Sequence, residues 1–195
     1  MDRYTLVENI VNKHECGTFV EIGTHIGDFA NHILNCSNNS ILYCIDPYIS
    51  YDNYDDAINN ETGDELYYKT YHRLKSQYGN RVNFIRKFSE DAVNDIPDNI
   101  DFLYIDGNHR YSYVCKDLEL YYAKVKTGGV IIGDDAVDTD DNERNENNDV
   151  LKTWYTGCYG HYGVIKAFRE FISKNNLSGQ IIGNQYLINK YLINK

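Results

Sequence analysis

The chain has 195 residues, 42% of them hydrophobic and 25% charged, the balance of a folded globular domain rather than a disordered or fibrous protein. A formal net charge of -10 with no Lys/Arg cluster argues against a nucleic-acid partner, because nothing offers phosphates a basic stripe. No apolar run approaches the roughly 20 residues of a membrane span, and Met1-Asp2-Arg3-Tyr4 opens no signal peptide, so one cytoplasmic domain over residues 1–195 is expected, without membrane contact.

The first apolar run, Thr18–Ile22, reads as a buried strand and leads into Glu21-Ile22-Gly23-Thr24-His25-Ile26-Gly27, whose glycines let the backbone approach a ligand closely. A dinucleotide fingerprint wants Gly-x-Gly-x-x-Gly, whereas these glycines stand four apart with an acid two residues before the first, which favours a cofactor without a pyrophosphate. Ile41–Ile45 is the second strand, and it ends in Asp46, where a carboxylate can accept both ribose hydroxyls of an adenosine. Tyr67, Tyr71, Leu74 and Tyr78 recur at helical spacing, followed by a third strand at Val82–Ile85.

A fourth strand over 102–105 ends in Asp106, and Val114, Leu118, Tyr121 and Val125 form the next helical stripe. The fifth strand, Val130-Ile131-Ile132, ends in Gly133-Asp134-Asp135. Residues 134–149 carry eight acidic side chains and one Arg without periodicity, which predicts a long acidic loop, a lid candidate beside the site. A helix over 163–171 and a closing hairpin over 180–188 follow, and the last ten residues repeat Tyr-Leu-Ile-Asn-Lys. Alternating strands and helices imply an α/β fold: a mostly parallel sheet with helices on both faces and ligands beyond the carboxyl ends of the strands.

The glycine loop together with Asp46 resembles the class I S-adenosylmethionine-dependent methyltransferases, whose first motif is acidic-x-Gly-x-x-x-Gly and whose second is the acid ending strand two. The resemblance runs from about residue 16 to residue 172 and implies a Rossmann-like seven-stranded sheet with an antiparallel C-terminal hairpin. It also implies that Glu21, Gly23, Thr24 and Gly27 line the methionine part of the cofactor, with Asp106 beside it. Asp46 would hold the ribose and Phe88-Ser89 the adenine, Phe88 either stacking on the base or filling core.

Asp106-Gly107-Asn108-His109-Arg110-Tyr111, with Gly133-Asp134-Asp135 and Gly163-Val164-x-x-Ala167 downstream, is similar to the metal-dependent O-methyltransferases of methyltransferase family 24. Those closest methylate sugars of macrolide and aminocoumarin antibiotics, and catechol-type enzymes are more distant. The acids Asp106, Asp134 and Asp135 end neighbouring strands, and a hard cation such as Mg²⁺ would relieve their repulsion. Asp134 and Asp135, being adjacent, can both bind only if the chain turns there.

The sugar enzymes carry an acid where this chain has Asn108, which cannot take a proton. His109 occupies the position of the catechol enzymes' lysine, and its ordinary pKa near 6.5 suits a base. Alternatively it starts a helix or orients substrate. The expected catalytic pair is therefore His109 and Asp106, acting on a small hydroxylated acceptor, a sugar first among them. Tyr48, Tyr51 and Tyr54 either wall the acceptor pocket or belong to core and surface, and His25 and His161 either face the cleft or are structural. His14, His32 and His72 fall in helical stretches and receive no role.

The stretch 138–143 lacks the glycine of a calcium loop. Five cysteines without a Cys-x-x-Cys pair read as reduced core residues. The competing readings are a metal-independent N- or O-methyltransferase and a non-catalytic cofactor-binding domain; a homodimer is compatible with all three.

Overall fold

In a computed structural model the described residues are 1–12, 17–52, 54, 62–136, 143–144, 150–152 and 163–191. Strand β1 (Thr18–Ile22) is the middle one of five neighbouring strands, with β2 (Ile41–Ile45) and β3 (Val82–Ile85) on one side and β4 (Ile100–Ile105) and β5 (Val125–Gly133) on the other. These five are parallel; β9 (Gln185–Asn189) pairs antiparallel with β5, and β8 (Gly179–Ile182) antiparallel with β9, which completes a seven-stranded sheet in the order β3-β2-β1-β4-β5-β9-β8. The expected architecture of mostly parallel strands closed by a hairpin is the one observed.

The alternation of side chains along each strand separates two cores. Phe19, Phe102, Tyr104 and Ile132 point to one face, where α1 (Arg3–Val11), α2 (Asp28–Cys36) and α3 (Asp64–Tyr78) cover them with Leu6, Val7, Ile33, Leu34 and Leu74. Val20, Leu103, Ile105 and Ile131 point to the other, under α5 (Tyr111–Tyr122) and α6 (Val164–Lys174), with the short α4 (Ser89–Ala92) contributing Ala92. Each such aromatic or branched side chain contributes roughly 1.5–3 kcal/mol by leaving water, so the sheet is the rigid element on which the site is mounted. Helix α1 is held at its start by Asp2, whose carboxylate accepts from Thr5 N at 3.0 Å and from Thr5 Oγ1 at 2.8 Å.

Two sequence expectations are corrected. Val125 does not continue the stripe of α5; it opens β5 opposite Ile100, and the register then jumps to Phe102 opposite Val130. Gly128 and Gly129 lie in that interruption, Gly128 at φ 84°, so the extra residues are absorbed as a bulge rather than as a last helical turn. The segment 134–149, expected to be wholly loop, contains β6 (Glu143–Arg144), which pairs antiparallel with β7 (Val150–Lys152) just beyond it, strands too short for periodicity to reveal.

The rest of the 134–149 loop beyond Ala136, and with it nearly all of the calcium-like stretch, lies outside the described residues, as do His14, His161 and the second Tyr-Leu-Ile-Asn-Lys copy beyond Tyr191. Cys36, Cys44 and Cys115 are free thiols. Among the described residues no helix is long and apolar enough to cross a membrane.

Candidate active site

Sheet register builds the site. Ile22 pairs with Ile45 on one side and Ile105 on the other, and Ile105 pairs with Gly133, so Gly23, Asp46, Asp106 and Asp134 stand in one row immediately beyond the strands. The ladder extends one step into that row: Gly23 N donates to Ile45 O at 2.8 Å, Asp106 N to Ile22 O at 2.8 Å, and Asp134 N to Ile105 O at 3.0 Å. A cleft of about 380 Å³ opens over it.

On the β2 side, Asp46 Oδ2 accepts from His25 N at 2.8 Å and Oδ1 from Tyr48 N at 2.7 Å. A carboxylate offers about four lone-pair sites, so two remain for a diol. Burial pushes the Asp46 pKa up, while these two amides hold it down. Tyr48 Oη donates to His25 O at 2.8 Å, tying the glycine loop to the end of β2. Both His25 (φ 47°) and Tyr48 (φ 52°) adopt the left-handed region, a strained arrangement typical of binding loops. Thr24 lines the cleft, as do Phe88 and Ser89 after β3; the Tyr51 ring meets Phe88 edge-on at 5.1 Å and stacks with Tyr54 at 5.3 Å.

Two expected cofactor residues do not line the cleft. The Glu21 side chain is buried on the strand and off the cleft wall, where burial pushes its pKa up to about 8 and keeps it protonated at neutral pH. Gly27 is also off the wall: a Cβ there would stand 2.8 Å from Thr70 Cγ2 and 2.9 Å from Leu74 Cδ1, so this glycine lets α2 pack on α3. Gly23 does line the cleft, yet its tight neighbour is protein as well, the backbone carbonyl of Asp106.

On the β4–β5 side the two adjacent acids separate. Asp135 takes φ 57°, the chain turns, and its Oδ2 lies 3.2 Å from His109 Nε2, which is 3.3 Å from Asp106 Oδ1. Asp106, His109 and Asp135 each offer a ligand atom, all within 4.8 Å of one another. Burial pushes the Asp106 pKa up to about 6, against the hydrogen bond from His109 that lowers it. The Asp134 carboxylate is not in this cluster; it accepts from Arg3 Nη1 at 2.7 Å and Tyr104 Oη at 2.9 Å instead. Asn108 donates from Nδ2 to Tyr51 Oη at 3.2 Å, so it braces the aromatic wall.

Sequence reasoning missed two residues of this cleft. Arg3, on α1, reaches the row of acids from across the chain, its guanidinium over the Phe29 ring at 5.2 Å. Asp117, on α5, is buried where Ser89 Oγ donates to it, and burial pushes its pKa up to about 7. An acid beside the apolar stripe of Val114 and Leu118 was the available signal. Because the folded form holds this proton at pH values where the unfolded chain has lost it, the group weakens the fold as pH rises from about 4 to about 7, and the loss is complete above that. Asp117→Asn keeps the acceptor for Ser89 and removes the charge. Its Tm is expected to exceed that of wild type at pH 8 and to match it near pH 4, measured by thermal melts across the range.

Comparison with known proteins gives a concordant picture. A family model described as a methyltransferase domain matches residues 20–136. Protein R132 of Acanthamoeba polyphaga mimivirus is 31% identical over 142 residues, which span 69% of this chain and 59% of that protein. Among solved structures, a Staphylococcus aureus protein described as a caffeoyl-CoA O-methyltransferase superposes with TM-score 0.68 at 16% identity, covering 96% of this chain and 83% of the other. The Podospora anserina methyltransferase PaMTH1, bound to S-adenosylhomocysteine, superposes with TM-score 0.69 at 11% identity, covering 96% and 77%. At these identities the likeness is one of fold.

Proposed function

The chain belongs to the methyltransferase-domain family, and from that premise we propose that this S-adenosylmethionine-dependent enzyme methylates a hydroxyl oxygen of a small acceptor, a sugar or related vicinal diol, with the help of a divalent cation. The observation that carries the proposal is the cluster of Asp106, His109 and Asp135 at the end of a cleft whose other end presents Asp46. S-adenosylmethionine supplies an electrophilic methyl on sulfur. A divalent cation held by Asp106 and Asp135 would lower the pKa of a hydroxyl and orient it.

The residues do the rest. Asp46 retains lone pairs for the ribose hydroxyls, and Phe88 with Tyr51 forms an aromatic wall for the base. Gly23 brings the loop after β1 against the carbonyl of Asp106, so the end of β1 and the end of β4 share one floor. The fit to a cation is chemical: two carboxylates and an imidazole converge, and a dication relieves the repulsion between the carboxylates. Tyr54 and Ile49 add apolar surface to the cleft on which the face of a sugar ring can rest. A metal-independent reading has one observation in its favour, the Arg3 guanidinium 3.3 Å from Asp106 Oδ2, a cation already in place.

The test is transfer of labelled methyl from S-adenosylmethionine to paired acceptors that differ only in the presence of a second, adjacent hydroxyl. Transfer to the diol, at least tenfold slower after EDTA treatment and restored by added Mg²⁺ or Mn²⁺, is expected. Chelator-insensitive transfer would remove the cation from the reaction, and transfer to nitrogen would remove the hydroxyl.

A further inference from the structure

Asp134 is a fully occupied carboxylate. Its Oδ2 accepts from Arg3 Nη1 at 2.7 Å and Tyr104 Oη at 2.9 Å, and its Oδ1 accepts from Gln185 Nε2 at 2.8 Å and Asp135 N at 2.8 Å. With about four lone-pair sites on a carboxylate, none is left for a ligand. The donors come from α1, β4, β9 and the chain's own turn, and Asp134 is 6% exposed, so freeing it would leave an unpaired charge buried among them.

Asp106 is different: its Oδ2 faces Arg3 while its Oδ1 faces His109 Nε2, and Asp135 Oδ2 stands on the other side of the same nitrogen. Among the described residues, Asp106, His109 and Asp135 are the group of three acids, histidines or cysteines whose ligand atoms lie within 4.8 Å of one another.

We propose that the cation site is a mixed nitrogen-oxygen set of Asp106, His109 and Asp135, selective for a first-row transition dication over Mg²⁺, with Asp134 held out of it by Arg3 and its other donors. This rests on the cation-assisted reading above and sharpens it. Imidazole favours borderline metals, whereas Mg²⁺ favours oxygen alone, so a site with one nitrogen in three binds Mn²⁺ or Co²⁺ in preference to Mg²⁺. It also turns His109 from a general base into a ligand, since a nitrogen bound to a metal has no lone pair for a proton. Arg3 is then a positioning residue: its Nη1 pairs with Asp134 Oδ2 at 2.7 Å and with the outer Oδ2 of Asp106 at 3.3 Å, which leaves Asp106 Oδ1 toward His109.

The experiment uses the full chain with S-adenosylhomocysteine and measures cation binding, independent of turnover. Calorimetry is expected to show Mn²⁺ and Co²⁺ binding at least tenfold tighter than Mg²⁺. Asp134→Asn should leave Mn²⁺ affinity within threefold of wild type, while Asp135→Asn lowers it at least tenfold. Pulsed electron paramagnetic resonance of bound Mn²⁺ in the wild-type protein should show a directly coordinated nitrogen, absent in His109→Asn, which should also bring Mg²⁺ level with Mn²⁺. Binding of Mn²⁺ without nitrogen coupling, or a loss in Asp134→Asn equal to that in Asp135→Asn, overturns this ligand set while leaving a cation-assisted reaction standing. Binding of S-adenosylhomocysteine with no divalent cation bound at all overturns both.

Discussion

An Asp46→Ala variant is expected to bind S-adenosylhomocysteine at least 100-fold more weakly than the wild-type protein while remaining folded. Two hydrogen bonds to a charged acceptor contribute roughly 1.5–3 kcal/mol each, and about 1.4 kcal/mol is a tenfold change in affinity. The substitution also releases His25 N and Tyr48 N, the two amides that Asp46 holds, so the loop after β1 loses one of its ties to the end of β2 as the ribose loses its acceptor. Both effects act in one direction. Asp46→Asn, which keeps one acceptor oxygen, should fall between the two. Calorimetric titration decides the matter: an affinity within threefold of wild type in Asp46→Ala would remove this carboxylate from the cofactor site.

The largest loss of stability is expected from Gly23→Ala. Gly23 sits at φ 89°, and an added Cβ would lie 1.9 Å from the carbonyl oxygen of Asp106 and 2.5 Å from its carbon. The obstacle is backbone, fixed by Asp106 N donating to Ile22 O at 2.8 Å, so the strand ends must part. A left-handed conformation costs a non-glycine residue roughly 1–2 kcal/mol, and overpacking adds roughly 1–3 kcal/mol. Together these approach a sizeable fraction of the ~5–15 kcal/mol by which domains are stable. A fall in Tm of roughly 10 °C is expected for a chain of this size, with cofactor binding lost alongside it. A variant that melts within 2 °C of wild type would show that the approach of the two loops is not what requires glycine.

Much of this fold is legible in the sequence because each parallel strand is short, apolar and followed by a residue whose chemistry marks its end. Asp46, Asp106 and Asp134 announce the row of site positions, and the register confirms that they share it. What the sequence does not carry is which acid faces which way. Asp134 and Asp135 are indistinguishable as letters; a backbone turn at Asp135 and four donors from distant segments separate them.

Arg3 is 103 residues from Asp106 and 131 from Asp134, so no local pattern could have joined them. Gly23 and Gly27 are conspicuous in the sequence, but their reasons lie in packing, against Asp106 and against α3. Val125, an apolar residue four after Tyr121, fits a helix as well as the start of a strand; its pairing with Ile100 settles it.

The strand order also constrains how the chain is made. β4 has a partner on both edges, β1 and β5, and it reaches β1 only after about eighty intervening residues have been synthesised. While the first three strands wait, the edge of β1 that will receive β4 carries a row of unpaired amides and carbonyls, the kind of edge that recruits a strand from another molecule. Slow translation through residues 23–99, or an excess of truncated chains, would prolong that exposure. Aggregation of this protein during expression would then reflect the late arrival of its central strand rather than weakness of the finished fold.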